Sequence, residues 1–207
     1  SMCFKSFYSG DLVLFYPDYI NNEYLGANNI KTVAFTVQHK AKYVEQSKQV
    51  LTMLRNIFGK DVHIYVALHG AKNAITNKVI EHAKTLSMDV VELFGESENL
   101  EFYNDIDFHV GYRLHGHISV LRRRKPSVLL VEDARGYGFS KTTGTSYGCF
   151  QAMSGVSVSE SVVHDIQSFI STSILSNFIE YKKVFNFIDH QYVNIVEPYF
   201  KKISDQV

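Results

Sequence analysis

Thr32-Val-Ala-Phe-Thr-Val-Gln38, an amphipathic stretch from Tyr43 to Phe58 closed by Gly59, and then Val62-His-Ile-Tyr-Val-Ala-Leu68 form the run that decides the fold. The first and last segments are short, β-branched and apolar, and read as strands. Between them Val44, Val50, Leu51, Leu54 and Ile57 fall on helical spacing, and Gly59 stops the helix. The alternation continues downstream. Asn73 to Leu86 carries Ile75, Val79, Ile80, Ala83 and Leu86 as a helical stripe, and Asp89 to Leu93 is a third short strand. Ile106 to Val110 is the fourth, a helix is predicted over about Tyr112 to Arg123, and Ser127 to Val131, after Pro126, is the fifth. Strands alternating with helices imply right-handed crossovers. The expected fold is α/β: a Rossmann-like, doubly wound parallel sheet of five strands or slightly more, within a domain spanning residues 30–155.

Beyond Gly155 the strand signal disappears, and residues 156–207 are predicted to be helical, with a break near Ser176 or Asn177. Ile170, Ile174, Phe178, Phe185, Phe187, Ile188, Tyr192, Ile195 and Phe200 are too many apolar side chains for an exposed tail, so these helices are expected to pack on the same domain. Residues 1–29 read as an N-terminal extension or the tail of a preceding lobe. Within it, Asp11-Leu-Val-Leu-Phe15 has the make-up of a strand, and Pro17 to Asn29 reads as loop. Ser1 ahead of Met2 reads as an expression remnant, which predicts that the chain begins where it was cut.

The chain has 207 residues, enough for a real core but not for two full-size domains and a linker. Hydrophobic residues at 45% and charged residues at 20% exclude global disorder. The 21 Lys and Arg balance 21 Asp and Glu, so no global field draws the chain to nucleic acid, and none is expected as a partner. The longest apolar runs, such as Val128 to Val131, are of strand length and far short of a membrane span. Cys3 and Cys149 cannot build a disulfide framework and suit a reducing compartment, so the expected location is the cytoplasm or the inner face of the membrane.

Ligands of open parallel sheets bind beyond the carboxyl ends of strands, where helix N-termini present free N–H groups. The fourth strand runs into Asp107-Phe-His-Val-Gly-Tyr-Arg-Leu-His-Gly-His117, which places Gly111, Arg113, His115, Gly116 and His117 at a strand-to-helix turn. Gly111 and Gly116 allow close backbone approach, Arg113 offers a planar fork for carboxylate or phosphate, and His115 transfers protons near neutral pH. Arg113 and His115 converge only if Arg113 still lies in the turn, and that is the expectation. The fifth strand ends in Val131-Glu-Asp-Ala-Arg-Gly-Tyr-Gly-Phe-Ser-Lys-Thr-Thr-Gly144, whose Asp133, Arg135, Lys141, Thr142 and Thr143 read as a neighbouring ligand loop. Neither a P-loop nor a Gly-x-Gly-x-x-Gly fingerprint is present. Both stretches keep a plainer reading, in which Arg113 is a helix-end charge, the histidines cap or pack, and Asp133 makes a local turn. His109, His115 and His117 lack a carboxylate or thiol pair to complete a metal site, so no metal is expected. His69, at the end of the second strand, could face the same cleft, whereas His63 alternates within that strand and reads as structural.

The run Asp107 to His115 followed by Lys125-Pro-Ser-Val-Leu-Leu-Val-Glu-Asp-Ala-Arg-Gly136 resembles the polysaccharide pyruvyl transferase family, in which a strand leads into an Arg-x-His turn and a Pro-led strand then ends in Asp-x-Arg. The resemblance covers about residues 30–155 and is sharpest over 107–144. It implies the C-terminal, glycosyltransferase-B-like lobe of a two-lobed enzyme of cell-surface polysaccharide biosynthesis. Such an enzyme moves pyruvyl from phosphoenolpyruvate onto a hydroxyl pair of a saccharide or lipid-linked oligosaccharide as a ketal. Phosphoenolpyruvate is then the donor substrate, and no cofactor is expected. The resemblance further implies that Arg113 binds the donor carboxylate or phosphate and that His115 protonates the enol carbon or the departing phosphate. Two other readings stay open. One is the donor lobe of a nucleotide-sugar glycosyltransferase, for which a Glu-x7-Glu pair is the expected ribose contact and Glu132 has no such partner. The other is a non-catalytic module that kept the fold.

Overall fold

A computed structural model describes residues 11–142 and 144–204. Its frame is a parallel sheet built from the β-branched runs: β1 (Thr32–Thr36), β2 (His63–Leu68), β3 (Asp89–Glu92), β4 (Phe108–Gly111), β5 (Ser127–Val131) and β6 (Cys149–Gln151). The strand order is β3-β2-β1-β4-β5-β6, with every neighbouring pair parallel. The chain winds outward from β1 to β3 and then returns to the far side of β1 for β4, so the winding direction reverses between β1 and β4. In register, Thr36 at the end of β1 lies opposite Ala67 of β2 and Gly111 of β4.

Strands β1, β4 and β5 are buried on both faces, as a sheet covered on two sides requires. Side chains alternate between two layers: Val33, Phe35, Ile64 and Val66 join the main core, while Ala34 and Ala67 meet Tyr103, Ile106 and Val120 in a second cluster. Helix α1 (Val44–Phe58) buries Val50, Leu51 and Leu54. Helix α2 (Ala74–Thr85) starts at a reciprocal cap, in which the Asn73 side chain accepts from the Ile75 and Thr76 N–H groups and Thr76 Oγ1 accepts from the Asn73 N–H. Helix α3 (Leu114–Leu121) follows β4, and α4 (Ala134–Ser140) follows β5. The predicted helix from Tyr112 to Arg123 is therefore shorter at both ends, and the predicted ligand loop after β5 opens with a helical turn capped by Asp133.

The C-terminal helices pack on the sheet. Helix α5 (Val162–Leu175) and α6 (Tyr181–Gln191) flank a break at which Asn177 and Phe178 take left-handed φ values of 53° and 55°. A widened π turn at Tyr192–Val196 then leads into α7 (Glu197–Ser204), which buries no residue. Tyr181 sits in the main core, its hydroxyl donating to the Ser127 carbonyl at 2.7 Å, and Phe178 packs on Phe108 with ring centroids 5.5 Å apart. Val162, Ile166, Ile170, Phe178, Tyr181, Val184, Phe185 and Ile188 are all buried. At about 1.5–3 kcal/mol each they outweigh the net stability of a typical domain, about 5–15 kcal/mol. A chain ended at Gly155 is expected to show no cooperative thermal transition and to bind ANS. A soluble fragment that melts cooperatively would refute this role for the helices.

Two local expectations are corrected. Asp11 to Phe15 is not a strand but a 3₁₀ turn at Leu12–Leu14, because the Asp11 carboxylate accepts from the Val13 N–H at 3.0 Å and closes the chain on itself. The segment after Gly155 is not wholly helical: β8 (Ser157–Val158) turns back on β7 (Met153–Ser154) as a short antiparallel pair around Gly155. The loop after Pro17 is pinned at its far end, where the Leu25 N–H donates to the Arg124 carbonyl and the Ala27 N–H to Asn177 Oδ1. Residues 1–10, including Cys3, lie outside the described part. Among the described residues no helix is long and apolar enough to cross a membrane.

Candidate functional site

The reversal between β1 and β4 marks the place at the carboxyl edge where open α/β sheets take their ligands, and the turn after β4 lies there. A Cβ on Gly111, at φ +155°, would lie 2.2 Å from Thr36 Oγ1 and 2.6 Å from the Thr36 backbone N and O, so only glycine lets β4 press this closely on β1. The chain then fastens to the end of β1. The Tyr112 N–H donates to the Thr36 carbonyl at 3.1 Å, the Arg113 N–H to Thr36 Oγ1 at 3.2 Å, and Arg113 Nε to the Val37 carbonyl at 3.3 Å. Arg113 has extended backbone (φ −87°, ψ 111°) and is the residue from which α3 starts, so it lies in the turn, as convergence with His115 requires.

Gly116 serves the same closeness one helical turn on. A Cβ there would stand 2.8 Å from the Tyr103 hydroxyl and 3.0 Å from His109 Nε2, so α3 rests directly on the polar layer above β4. His117 and His109 are fully buried, both bonded to Ser127 Oγ at 2.8 Å, whereas His115 is exposed. His115 lines a cavity of about 530 Å³ between α3 and α4, together with Arg135, Thr142, Phe139 and Leu14. Arg113 lies outside this cavity's lining. Lys141 also faces elsewhere, its ammonium 5.2 Å from the Tyr137 ring centroid, while Thr142 Oγ1 donates to the Gly138 carbonyl at 3.3 Å. Thr143 lies outside the described residues.

Electrostatics couple the strand ends. Burial lowers the Arg113 pKa, opposed by the Glu132 carboxylate, assisted by Arg135 and opposed again by Asp133. Glu132 is paired with Lys40 at 2.8 Å, which ties the β5 end to the segment after β1. Asp133 accepts from the Gly136 N–H at 2.8 Å and from Arg135 at 2.9 Å. Burial raises its carboxyl, but these donors outweigh that and hold it below the usual range. His69 Nε2 lies 2.6 Å from the Tyr103 hydroxyl. Burial, and then the charge of Arg113, push its pKa down to about 4. His39 is lowered for the same two reasons. At neutral pH the rim therefore presents the Arg113 and Arg135 cations beside neutral His39 and His69. Among the described residues no three His, Cys, Asp or Glu side chains come together as metal ligands.

Arg113, His115, Arg135, Asp133, Gly111, Gly116, His69 and Thr142 thus all sit on one edge of the sheet, but in different roles. The two glycines and Asp133 shape the backbone, Arg113 is held at the reversal between β1 and β4, and His115, Arg135 and Thr142 share the cavity between α3 and α4. Thr36, Lys40, Glu132, Tyr103 and Ser127 were not singled out from sequence as site residues. Glu132 could have been found, since it follows a predicted strand; Thr36 falls inside the predicted first strand, which the structure ends two residues earlier.

No protein-family model and no curated protein matches the chain. Solved structures do. Accessory secretory protein 1, 2 and 3 of Streptococcus pneumoniae matches with a TM-score of 0.55 at 13% identity, over 89% of this chain and 37% of that one. TarM matches with a TM-score of 0.53 at 12% identity, over 88% of this chain and 36% of that one. A trehalose-6-phosphate structure from E. coli, bound with UDP-2-fluoro glucose, matches with a TM-score of 0.50 at 9% identity, over 87% and 45%. The shared feature is the fold: a Rossmann-like α/β lobe of glycosyltransferase-B type. The chain spans less than half the length of each of these structures.

Proposed function

We propose that this chain is the donor-binding lobe of a transferase whose donor carries phosphate, a nucleotide sugar in the first place. The observation that carries this reading is Arg113. Its Nε donates to the Val37 carbonyl, which holds the group at the switch point, and neither terminal nitrogen makes a hydrogen bond among the described residues, so both are left to take a ligand oxygen. Arg135 supplies a second cation from the next strand end, and His115 shares the cavity wall with Arg135 as the group to hand a proton to the leaving oxygen. The fold is shared with a structure that holds UDP-2-fluoro glucose, which supports a nucleotide-sugar donor.

A second reading keeps the same residues and changes the donor. Two guanidinium groups on adjacent strand ends suit a small molecule with both a carboxylate and a phosphate, and the Arg113-Leu-His115 turn followed by Asp133 and Arg135 is the series that resembles pyruvyl transferases. Phosphoenolpyruvate would then be the donor. In either case the acceptor is a saccharide or lipid-linked oligosaccharide, and the reaction runs in the cytoplasm or at the inner face of the membrane.

The test is calorimetric titration with UDP-glucose, UDP and phosphoenolpyruvate. A uridine nucleotide is expected to bind weakly, and Arg113→Lys is expected to weaken it at least about tenfold although the charge is kept, because the bidentate geometry is lost. His115→Ala is expected to leave donor affinity largely intact and to cut turnover in the two-lobed protein about 10²- to 10⁴-fold. Binding of phosphoenolpyruvate without the nucleotides selects the pyruvyl reading, and binding of neither removes both.

A further inference from the structure

Behind Arg113 a chain of buried hydroxyl and imidazole groups crosses three strands. Thr36 Oγ1 on β1 lies 2.9 Å from His109 Nε2 on β4, and His109 Nδ1 lies 2.8 Å from Ser127 Oγ on β5. Ser127 Oγ in turn lies 2.8 Å from Nδ1 of His117 on α3. All four side chains are buried. No function described above uses His109, Ser127 or His117.

Proton counting sets the direction of the chain. Thr36 Oγ1 accepts from the Arg113 N–H, and its own proton has His109 Nε2 as acceptor. His109 then carries its proton on Nδ1 and donates to Ser127 Oγ, which donates to His117 Nδ1. The one proton left over is on His117 Nε2, which has no hydrogen-bond partner, and the His117 ring stands perpendicular to the Phe139 ring at 5.3 Å, an arrangement suited to N–H donation to a π face. The reverse direction would strand the Thr36 proton as well as the His117 lone pair. Burial keeps both imidazoles neutral, as the forward chain requires.

We propose that this chain is a positioning device for the donor site. His117 and Ser127 hold His109 in its Nδ1–H form, His109 fixes the rotor of the Thr36 hydroxyl, and Thr36 fixes the Arg113 amide at the switch point. Phe139, at the other end, lines the cavity shared by His115 and Arg135, so one chain ties both walls of the site. The inference rests on the reading of Arg113 as the donor anchor. His109, Ser127 and His117 act only through other residues and are positioning residues.

Two measurements test it. Imidazole ¹⁵N shifts at neutral pH are expected to show protonated Nδ1 and bare Nε2 on His109, with the opposite pattern on His117; the reverse tautomers would overturn the proposal. In UDP titrations, Thr36→Val is expected to lose about five- to tenfold in affinity, the worth of one buried hydrogen bond, while Thr36→Ser keeps it. Ser127→Ala, remote from the ligand, is expected to lose affinity in the same direction. Val50→Ala, a core truncation on α1 outside the chain, is expected to lower the melting temperature without moving the affinity. Equal affinity losses in Val50→Ala and the chain variants would make the effect merely one of stability. If the wild type binds neither UDP nor phosphoenolpyruvate, the donor-lobe reading fails, and the chain is judged on the tautomers and on Arg113 amide exchange. Faster exchange in Thr36→Val but not in Thr36→Ser supports it, and unchanged exchange in both overturns it.

Discussion

Gly111→Ala is expected to destabilise the protein by about 3 kcal/mol or more and in practice to leave little folded material. Two costs add. The new Cβ would meet Thr36 Oγ1 at 2.2 Å and the Thr36 backbone at 2.6 Å, and a φ of +155° is one that side chains with a Cβ rarely adopt. Neither neighbour can give way cheaply. Thr36 backbone atoms are held in β1 between β2 and β4, and its hydroxyl is bonded to both His109 and the Arg113 N–H. Gly138→Ala makes the contrast, because nothing lies within 4 Å of its Cβ position and it sits inside α4. There alanine is expected to stabilise by about 0.5–1 kcal/mol through helix propensity. Urea denaturation midpoints decide the matter. A Gly111→Ala protein with the wild-type midpoint would show that β4 does not approach β1 as described.

The contrast between these two glycines also shows what was readable in the sequence. Gly111 follows a predicted strand and precedes a predicted helix, so its place in a ligand turn, and the place of Arg113 beyond it, followed from the pattern. β1, β2, β5, α1 and α2 were legible for the same reason: uninterrupted β-branched runs, or apolar residues on a helical stripe, have one good way to be buried. α4 was read as loop because Gly136 and Gly138 mask its propensity; what makes it a helix is the Asp133 cap and the burial of Phe139. β6 has only three residues, with none of them fully buried, and offers no pattern. The partners of the site were harder still. Nothing local says that Thr36 meets Gly111, since that adjacency comes from the chain returning across β1, a property of topology and not of residue type. Two cations of the run Arg122-Arg123-Arg124-Lys125 likewise take their roles from topology: Arg124 is 1% exposed and paired with Asp189, and Arg123 donates to Asn104 and the Ser119 carbonyl.

Acidification below about pH 6.5 is expected to destabilise the protein steeply. His109 and His117 are fully buried with no charged partner; burial holds the first far below the ordinary histidine value and the second at about 3. The sign follows from proton counts. Once the pH drops below about 6.5 the unfolded chain takes up protons that the folded chain refuses, so stability is full above that value and falls until the folded-state pKa is reached. Each such histidine costs up to about 1.4 kcal/mol per pH unit in that window, with the slope building up around pH 6.5, so the two remove about 3 kcal/mol between pH 6.5 and pH 5, a large share of a typical 5–15 kcal/mol. His69, pushed down to about 4, adds to the same slope, whereas Asp133, whose pKa is lowered from 3.8, contributes only at more acid pH. Urea midpoints measured from pH 7.5 to 4.5 are expected to fall steeply below pH 6.5. His117→Asn, which cannot be protonated in this range, is expected to flatten that slope by about one proton, even where it lowers stability at neutral pH. A wild-type profile level down to pH 5 would mean that these imidazoles are not the buried, neutral links between Ser127 and the Arg113 turn that the structure describes.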